Sequence, residues 1–458
     1  MINLPQTEET LNNYSNFLLN NTNNNSFNPF NFDDFHEKLL YDGKTSYASY
    51  LEKLDDLFAN SDARKKSYHI KAKRTRSIET PHFKTITFKR RLYIHKVTGD
   101  TFYYIDESFL KLTRYQRISN QLKTKILSEV TELSYQKIAN KYGISKTSVY
   151  TTIKSSALNF DQIYTNNNFE KIKVNILYIQ ADEVYVSLQK KESGKKNNKK
   201  IIEHVTIHLG IKNICNKRNA LINKKLITRA LNEDIEDFYK RVRDIIEENY
   251  EYNTLYCYGD GANWIKGLSS YIEATYILDL FHTYQAVNRI TKANRDANKE
   301  MREYIKTNNL PKFKEYIKEN FNTETMSDFQ KKHYNYILNN WDFITNNYSL
   351  IDSVGCSQEG INFHHFASRL TTMPKGFSEL NARFIAQLIC LKVNQNNYLE
   401  ILEKIVVKQA QENVKEMQRE TRIRRNKKDN INIMQGKIPY AYNTTNDKKT
   451  NKIDKYQN

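Results

Sequence analysis

Residues 174–188 read VNILYIQADEVYVSL, and this stretch decides the fold. It opens with a mostly apolar run, Val174 to Ile179, which is typical of a buried strand. Gln180, Ala181 and Asp182 follow, and Val184 to Leu188 then alternates apolar with polar residues, as a second strand would. The stretch therefore predicts two adjacent strands, with Asp182 at the end of the first.

The segments that follow continue an alternation of strand and helix patterns. Val205 to Ile211 alternates apolar and polar residues and predicts a third antiparallel strand. Further along, the patterns predict helix, strand, short helix, strand and helix, in turn at Asp234 to Glu248, Thr254 to Tyr258, near Trp264, at Tyr276 to Leu278 and from near Phe281. Three strands followed by helix, strand, helix and strand is the order of an RNase H-like core. We therefore expect a mixed α/β catalytic core of this kind.

Three acidic residues fall where such a core would bring them to one edge of its sheet. Asp182 ends the first predicted strand, Asp260 ends the fourth, and Glu359 precedes helix-spaced apolar residues. Hard cations such as Mg²⁺ prefer oxygen ligands, and two ions about 3.5–4 Å apart assist both the attacking and the leaving oxygen of a phosphoryl transfer. Each acid alone is equally an ordinary turn or helix-start residue. Their joint placement predicts a metal site that cuts and joins DNA.

A helix-turn-helix pattern precedes this core. Ser134 and Ser145 are suited to cap two helices, and Gly143 is suited to the sharp turn between them. The second helix would turn a polar and basic set outward, namely Lys146, Thr147, Ser148, Thr151 and Lys154. Such side chains suit base edges and phosphates, although any surface pair of helices shares the pattern. We predict a DNA-binding module at residues 113–160.

The remaining segments complete an α+β multidomain protein. Residues 1–76 predict a flexible Asn-rich leader, a helix at Phe35 to Ala59 and a basic linker at Arg64 to Arg76, and residues 77–112 predict a small antiparallel β module. The catalytic domain spans 161–377, with a basic loop at Lys190 to Lys200 and an all-helical insertion at about 289–350.

The C-terminal segment, residues 378–458, predicts two helices and a tail. The helices are Phe384 to Val393 and a second one from Tyr398, and the basic run Arg422 to Lys428 comes next. We expect the last thirty or so residues to be disordered.

Composition narrows the possible partners and compartment. Lysine and arginine number 71 against 52 acidic residues in a chain of 458, giving a net charge of +19. This charge suits a polyanion such as DNA, but codon bias alone also enriches lysine. The four cysteines form no C-x-x-C pair, and no apolar run reaches 18 residues. We therefore expect a cytoplasmic protein with no membrane contact.

Four motifs together resemble the ISLre-type insertion-sequence transposases, a family also catalogued as an uncharacterised protein family. They are Tyr178 to Glu183, Gly259 to Lys266, Leu278 to His282 and Cys356 to Gly360. Glycine-aspartate-glycine-alanine-x-tryptophan-isoleucine-lysine, at Gly259 to Lys266, is the most specific string. The similarity extends from about Phe83 to Phe377.

The resemblance implies a DDE transposase of a bacterial insertion sequence, related to the Mutator-like group. It implies an RNase H-like domain, two Mg²⁺ or Mn²⁺ ions, and binding both to the inverted repeats of its own element and to target DNA. Asp182, Asp260 and Glu359 take the catalytic and metal-binding roles by position, with Asp279 and His282 in support. By analogy with other transposases, we expect at least a dimer on DNA.

Several residues and functions stay open at this point. Glu183 is a possible substitute ligand, but strand alternation should turn it to the opposite face. The Val184-Tyr185 pair after it is less polar than the family leads us to expect. His364-His365 is more often an ordinary surface pair, and Trp264 more often packs than stacks on a base. A DNA-binding protein without catalysis and a nuclease that never joins DNA are the alternative functions.

Overall fold

The structure, a computed structural model, describes residues 32–157, 170–189, 199–215, 218–321, 326–350, 352–372 and 376–434. The expected Asn-rich leader up to residue 31, most of the basic loop at Lys190 to Lys200, and the tail from residue 435 lie outside the described residues. The chain groups into two compact units. The first comprises Met1–Lys125, Asn140–Ile144 and Leu402–Asn458, and the second comprises Ile126–Ala139 and Ser145–Ile401.

The first unit is built on a long helix and a small antiparallel sheet. Its elements are α1 (Phe32–Asn60), α2 (Asp62–Ser67), β1 (Tyr68–Thr80), β2 (Lys84–His95) and β3 (Thr101–Tyr103), followed by a π-helical turn at Tyr104–Phe109. The strands lie in the order β1-β2-β3. Leu51 of α1 packs with Ile78, Ile86 and Phe88 of the sheet in a buried core. The predicted helix and the predicted antiparallel sheet are both confirmed.

The stretch Arg64 to Arg76 is not the linker that its charge suggested. Its first residues lie in α2, where Ser61 caps the helix by accepting the Arg64 N–H, and the rest is strand β1. Lys71, Lys73 and Arg74 are exposed on this strand, whereas the buried Arg76 donates to the carbonyl of Arg114 at 2.6 Å. A charge run on the solvent side of a strand has the same composition as a linker.

Three helices follow, and then the strands of a larger sheet. The helices are α3 (Asn120–Glu129), α4 (Tyr135–Tyr142) and α5 (Lys146–Ala157). The next strands are β4 (Ile172–Ser187), β5 (Lys199–His208), β6 (Ile211–Cys215), β7 (Arg218–Leu221) and β8 (Lys225–Thr228). Helices and strands then alternate as α6 (Ile235–Asn249), β9 (Tyr250–Gly259), α7 (Asn263–Tyr271), β10 (Thr275–Leu278) and α8 (Leu280–Ile290).

Five of these strands form one mixed sheet in the order β10-β9-β4-β5-β8. β5 is antiparallel to β4 and to β8, whereas β9 is parallel to both β4 and β10. β6 and β7 form a separate two-stranded hairpin. The first strand along the chain is therefore the central one, with an antiparallel half on one side and a parallel half on the other.

The two strands expected within residues 174–188 are one strand, and Asp182 lies inside it. β4 runs unbroken from Ile172 to Ser187, pairing with β5 from Tyr178 onward. The third antiparallel strand is β8, which the sequence patterns did not indicate. Polar residues in the middle of β4 resemble a loop in the sequence because their hydrogen-bonding partners lie more than 150 residues away, in the segment around Gln358.

The large sheet buries both faces. On the first face, Leu177, Ile179 and Ala181 of β4 join a core with α6, α7 and α8. On the second face, Tyr178 of β4 packs with Tyr256, Tyr258 and Ile277, and residues around Leu350 to Cys356 cover them. The even-numbered residues of β4 thus point to the second face, and this parity determines where Asp182 points.

The described residues after α8 are helical, as predicted for the insertion. They form α9 (Arg295–Lys306), α10 (Leu310–Phe321), α11 (Asp328–Asn339) and α12 (Trp341–Ser349). Next comes α13, an α-helical turn at Gln358–Ile361 that continues as a π-helix at Asn362–Ala367 and ends at Ser368–Leu370.

Two C-terminal helices end the described chain, α14 (Glu379–Asn394) and α15 (Tyr398–Met434). The basic run Arg422 to Lys428 lies within α15 rather than after it. No helix of the described residues is long and apolar enough to cross a membrane.

Candidate functional site

Three aspartates come together at the end of the parallel half of the sheet. In the sheet, Gln180 pairs with Tyr258, so Asp182 and Asp260 each follow a paired residue by two positions. Leu278 pairs with Gly259, so Asp279 and Asp260 each come directly after a paired residue. The three therefore occupy neighbouring positions on β4 and just beyond β9 and β10. Strand parity points all three toward the second face, because they follow residues of known orientation by one or two positions.

Asp182 is held by two hydrogen bonds. Its Oδ1 accepts the backbone N–H of Glu183 at 2.8 Å, and its Oδ2 accepts the side-chain amide of Asn362 at 3.2 Å. Burial raises the pKa of Asp182 to about 6, and the negative charge of Asp260 adds to this rise, whereas the two hydrogen bonds oppose it. A carboxyl group with this pKa is partly protonated just below neutral pH.

Asp260 sits in a turn that only its two flanking glycines allow. A Cβ on Gly259 would lie 2.6 Å from the Ile265 side chain, and Gly261 has a φ of +96°. One carboxylate oxygen of Asp260 accepts the N–H of Ala262 at 2.9 Å, which closes the turn. Among the described residues its other oxygen makes no hydrogen bond, so the turn residue also presents a carboxylate to its surroundings.

Asp279 is the N-cap of α8, with His282 on the first turn of the same helix. The Asp279 carboxylate accepts the N–H of Phe281 at 3.0 Å, and its own backbone N–H donates to Gly259 at 2.8 Å. Burial raises the pKa of Asp279, and the charges of Glu359 and Asp260 raise it further, whereas His282 lowers it. The aspartate is a helix cap and a member of the acid cluster at once.

Glu359 is exposed on α13, and the residue before it anchors the helix to β4. The buried Gln358 amide donates to the Gln180 carbonyl at 3.2 Å and to the His204 ring at 2.9 Å, and it accepts the Thr206 hydroxyl at 3.1 Å. The Gln180 side chain in turn accepts the N–H of Ser357 at 3.0 Å. These contacts attach the start of α13 two residues from Asp182.

Asn362 is a site residue that sequence reasoning missed. It follows Glu359 by three residues, one turn along α13, and its amide donates to both Asp182 Oδ2 and the Glu183 carbonyl at 3.2 Å. The available signal was this helical spacing, since residues three apart share a helix face. Because Asn362 contacts Asp182 directly, the face of α13 that carries Glu359 is turned toward the acids.

The acids thus form one electrostatic cluster without forming a ready-made metal cage. The charges of Asp260 and His282 shift the pKa of Asp182, and the charges of His282, Glu359 and Asp260 shift the pKa of Asp279. Within the described part of the chain, no three His, Cys, Asp or Glu side chains are arranged to hold a metal ion. The carboxylate donors have the chemistry that Mg²⁺ and Mn²⁺ prefer. Holding such an ion would require the carboxylates to move closer together.

Glu183 and Trp264 occupy the first face instead. Glu183 Oε2 accepts the Trp264 indole N–H at 3.1 Å, and its Oε1 accepts the Tyr185 hydroxyl at 2.6 Å. Trp264 is partly buried against the first-face core. Glu183 therefore does not share the face of Asp182, and the indole is engaged by packing and by a carboxylate.

His364 and His365 do not join the acids through any described contact. His364 is exposed, and His365 Nε2 lies 2.9 Å from the Lys224 ammonium. Burial lowers the pKa of His365 to about 4, and the charge of Lys224 lowers it further, so the neutral ring accepts this hydrogen bond.

The predicted helix-turn-helix residues are present as two helices joined by a tight turn. The Ser134 and Ser145 side chains accept the N–H groups of Lys137 and Ser148, and Gly143 has a φ of +66°. Val149 and Ile153 are buried. Of the proposed contact residues on α5, four are exposed and one is half-buried, namely Lys146, Thr147, Thr151 and Lys154 in the first group and Ser148 in the second.

The sequence that forms this site matches a known protein family. Residues 35–402 match the model of an uncharacterised protein family, UPF0236. The chain belongs to the UPF0236 family. The match includes helices α4 and α5 and all the acids described above, so those features lie in the part of the chain that matches the family.

Individual UPF0236 relatives come from Caldanaerobacter subterraneus subsp. tengcongensis. One is 30% identical over 380 residues, which are 78% of this chain and 76% of the relative, and its name carries eleven locus designations. Another is 29% identical over 384 residues, with 78% and 76% coverage, and its name carries four.

Among solved structures, the Drosophila P element transposase strand transfer complex matches this UPF0236 chain. The match covers 62% of this chain and 80% of the other at 8% sequence identity, with a TM-score of 0.22. At that TM-score the match adds nothing to the description of the fold or the site.

Proposed function

We propose that this UPF0236 protein is a DDE-type transposase that binds the inverted repeats of an insertion sequence and cuts and rejoins its ends. The observation that carries the proposal is the cluster of carboxylates at one rim of the mixed sheet, where the strand register brings Asp182, Asp260 and Asp279 to neighbouring positions. The charge of Asp260 raises the pKa of both other aspartates, and the charge of Glu359 raises the pKa of Asp279. Like charges gathered in a partly buried site are costly to the fold, and such arrangements concentrate at functional sites.

We further propose that the large sheet is RNase H-like. Its five strands in chain order are β4, β5, β8, β9 and β10, and across the sheet they lie in the order third, second, first, fourth, fifth. Neighbours among the first three strands are antiparallel, and the fourth and fifth strands run parallel to the first. This is the arrangement of an RNase H-like core, with Asp182 on the central strand, Asp260 directly after the fourth strand and Glu359 on a later helix.

Asp182, Asp260 and Glu359 are the residues we propose as metal ligands, with Asp279 and His282 in support. A pair of Mg²⁺ or Mn²⁺ ions, when bound, would supply activation of the attacking oxygen and charge compensation at the leaving oxygen. Asp182 must release its proton to act as a ligand, and Asn362 favours that release because its hydrogen bond lowers the pKa of Asp182.

DNA binding is proposed to reside on α5. Its exposed Lys146, Thr147, Thr151 and Lys154 form a polar and basic strip that starts at the helix N-terminus, as recognition helices present their contact residues. Because transposition joins two ends of one element, we expect at least two copies of the chain on paired ends, acting on DNA in the cytoplasm.

The names of the relatives agree with a mobile element. A relative bearing eleven locus designations within one organism is what a gene present in many copies in one genome would carry. Copying or moving its own gene is the activity that would produce this distribution.

The test is a strand-transfer assay with DNA flanking the coding region as the donor ends, a supercoiled plasmid as the target, and Mg²⁺ or Mn²⁺. Asp182→Ala, Asp260→Ala and Glu359→Ala should each lower cleavage by at least about a thousandfold, while end binding remains. Asp244→Ala removes an exposed carboxylate on α6 and serves as the matched control. Wild-type cleavage in any of the three variants would remove that residue from the site.

Two results separate the alternative functions. Hydrolysis of a pre-cut end without its attachment to the plasmid would identify a nuclease. Binding without any product, at every metal concentration, would identify a DNA-binding protein that lacks catalysis.

A further inference from the structure

A cavity lies where three helices of the second unit begin. Its wall includes Tyr135 in the first turn of α4, Lys146 in the first turn of α5 and Asn381 in the first turn of α14. Arg369, from the end of α13, and the buried Phe377 also line it. We call this cavity, of about 680 Å³, the three-helix pocket. Its volume lies within the range of about 300–1,000 Å³ that is usual for small-molecule sites.

The charges around the three-helix pocket favour an anion. Lys146 and Arg369 line it, whereas no described residue of its wall is Asp or Glu. The first turn of each helix also has N–H groups without a partner inside the helix, and the helix dipole gives this end a partial positive charge. A serine cap occupies only one such group, as Ser378 does by accepting the N–H of Asn381 at 3.3 Å. Three helix starts around one cavity suit a phosphate group.

Asn381 is a second, independent indication of a ligand. It is 1% exposed, and its Oδ1 has no hydrogen bond among the described residues. Its Nδ2 donates to the Tyr135 hydroxyl at 3.4 Å. A buried acceptor without a partner costs stability, so such an atom on the wall of a cavity indicates a ligand that donates a hydrogen bond. The ligand therefore carries a donor as well as a negative charge.

Aromatic rings form another part of the same wall. The Tyr135 and Phe377 rings meet edge to face with centroids 6.5 Å apart, and the Arg369 guanidinium lies 5.2 Å from the Phe377 centroid. Tyr150, on α5, is half-buried and also lines the pocket. Arg369 is held in place because its Nε donates to the Val130 carbonyl. Rings and a guanidinium fixed in this way are preorganised for a flat group with polar edges, such as a nucleobase.

The three-helix pocket is separate from the acids but attached to their central strand. The Phe377 N–H donates to the Ser187 carbonyl at 3.2 Å, and the Phe377 carbonyl accepts the Gln189 N–H at 2.9 Å. Ser187, at the end of β4, follows Asp182 by five residues, which is about 17 Å along a strand. None of the four acids lines the pocket. A ligand held there is therefore outside the site of the proposed chemistry.

We propose that the three-helix pocket binds one nucleotide, with its phosphate at the helix starts and Lys146 and with its base donating to Asn381 Oδ1. A nucleotide combines the anion, the flat ring and the donor that the wall requires. Adenine suits Asn381, because asparagine accepts from its amino group. The nucleotide is either free in solution or the unpaired end of a DNA strand, since both share this chemistry. This binding goes beyond the proposed function and does not require the acids.

The test measures binding of the full-length protein to dAMP that carries an N-methylanthraniloyl fluorophore on its sugar. Fluorescence anisotropy in EDTA, where no cleavage takes place, follows the binding. Unlabelled dAMP should displace the labelled nucleotide. Deoxyadenosine and inorganic phosphate should each compete at least about tenfold more weakly, because each makes only part of the contacts.

Variants of the wall test the assigned contacts. Lys146→Ala should weaken binding of labelled dAMP by about ten- to a hundredfold, because it removes a charged partner of the phosphate. Asn381→Leu should weaken it by about three- to tenfold, as expected for one neutral hydrogen bond. Lys137→Ala, at an exposed lysine of α4 that does not line the pocket, is the matched control and should bind as the wild type does.

Thermal unfolding shows whether the buried substitution Asn381→Leu still folds. Lys146 is exposed, so Lys146→Ala tests the inference even where Asn381→Leu does not fold.

Two oligonucleotide competitors distinguish the sources of the nucleotide. They are a duplex with one unpaired 3′ deoxyadenosine and the blunt duplex of the same sequence. Tighter competition by the first than by either dAMP or the blunt duplex identifies a DNA end as the ligand. Competition by dAMP but by neither duplex identifies a free nucleotide.

Absence of saturable binding by labelled dAMP would overturn the inference, and so would equal losses in Lys137→Ala and Lys146→Ala. A protein that cuts and joins DNA but does not bind dAMP contradicts only the assignment of the three-helix pocket. A protein that binds dAMP without cutting DNA contradicts only the transposase proposal.

Discussion

Asn362 joins the helix that carries Glu359 directly to the carboxylate of Asp182. Its amide donates to both Asp182 Oδ2 and the Glu183 carbonyl, while its own Oδ1 is buried with no hydrogen bond among the described residues. A buried acceptor left without a partner costs stability, so the residue is placed for its donors.

We expect Asn362→Ala to lower cleavage about tenfold at pH 6 and less at pH 8. The lost hydrogen bond is one of the interactions that hold down the pKa of Asp182, so the acidic limb of the pH–rate profile should move to higher pH. Asn288→Ala, an exposed asparagine on α8, should leave the profile unchanged. A uniform loss at every pH would contradict this positioning role.

Two buried histidines beneath the site predict how stability depends on pH. Burial lowers the pKa of His204 to about 3 and that of His208 to about 4, so both are neutral in the folded protein. The unfolded chain binds their protons below about pH 6.5. Their contribution is therefore complete above that pH and is lost as the pH falls toward the folded values.

Between pH 7 and pH 5 each histidine should cost about 2 kcal/mol of unfolding free energy. In His204→Asn the amide oxygen replaces the ring nitrogen that accepts from Gln358, and this variant should lose less stability on acidification than the wild type. Denaturant titrations at the two pH values measure this difference. Asp182, with its raised pKa, acts in the opposite sense below about pH 6, but it is present in both proteins.

At the scale of the element, α13 is positioned by buried side chains at its start. Gln358 is 2% exposed and contacts His204, Thr206 and the Gln180 backbone. A short helix with a π-helical middle has little stability of its own, so these tertiary contacts determine where Glu359 lies.

We expect Gln358→Leu to lower the unfolding free energy by about 2–4 kcal/mol, because it leaves several buried groups unpaired in a site of similar volume. Cleavage should fall as well, whereas binding of element ends, proposed to reside on α5, should stay near wild type. Gln411→Leu, at an exposed glutamine of α15, should change neither stability nor cleavage. Unaltered cleavage in a destabilised Gln358→Leu protein would show that α13 does not need this anchor.

Elements with strong local patterns were predictable from the sequence, and elements defined by distant contacts were not. Helices α1 and α6 and strands β9 and β10 have regular apolar spacing, and all four lie where that spacing predicted them. β4 was divided in two because Gln180 and Asp182 are polar, and their partners lie on α13.

The candidate site shows the same division. The motifs gave Asp182, Asp260, Asp279 and Glu359, and their role as a site stays a prediction; in the structure Asp260 raises the pKa of Asp182, and Asp260 and Glu359 raise the pKa of Asp279. Asn362 and Gln358 could not be selected, since an asparagine or a glutamine carries no chemical signature until its neighbours are known.

At the scale of the whole molecule, segments that are far apart in the sequence belong to the same compact unit. The C-terminal part of α15 belongs to the first unit, where Gln418 donates to Glu107 at 2.7 Å and Arg422 pairs with Asp100 at 3.2 Å. Sequence patterns describe each helix but not its partner, because such contacts join residues about 300 positions apart.

The net charge of +19 does not identify the groups that contact DNA, but salt dependence does. If Lys146 and Lys154 each neutralise a phosphate, the double variant Lys146→Ala with Lys154→Ala should reduce the slope of log K against log salt by about 2. Filter binding with element ends over a range of KCl concentrations measures this slope. Lys240→Ala, exposed on α6, should not change it, and an unchanged slope in the double variant would remove α5 from the interface.

The unbroken strand β4 also limits which length changes evolution can accept. Inserting or deleting one residue between Ile172 and Asp182 would exchange the orientations of Asp182 and Glu183, sending the Asp182 carboxylate to the first face of the sheet. A change of two residues keeps the orientation but moves the acid by about 7 Å along the strand. Functional descendants of this gene should therefore vary in length in the hairpin at Ile211 to Leu221. They should keep a constant number of residues between Ile172 and Asp182.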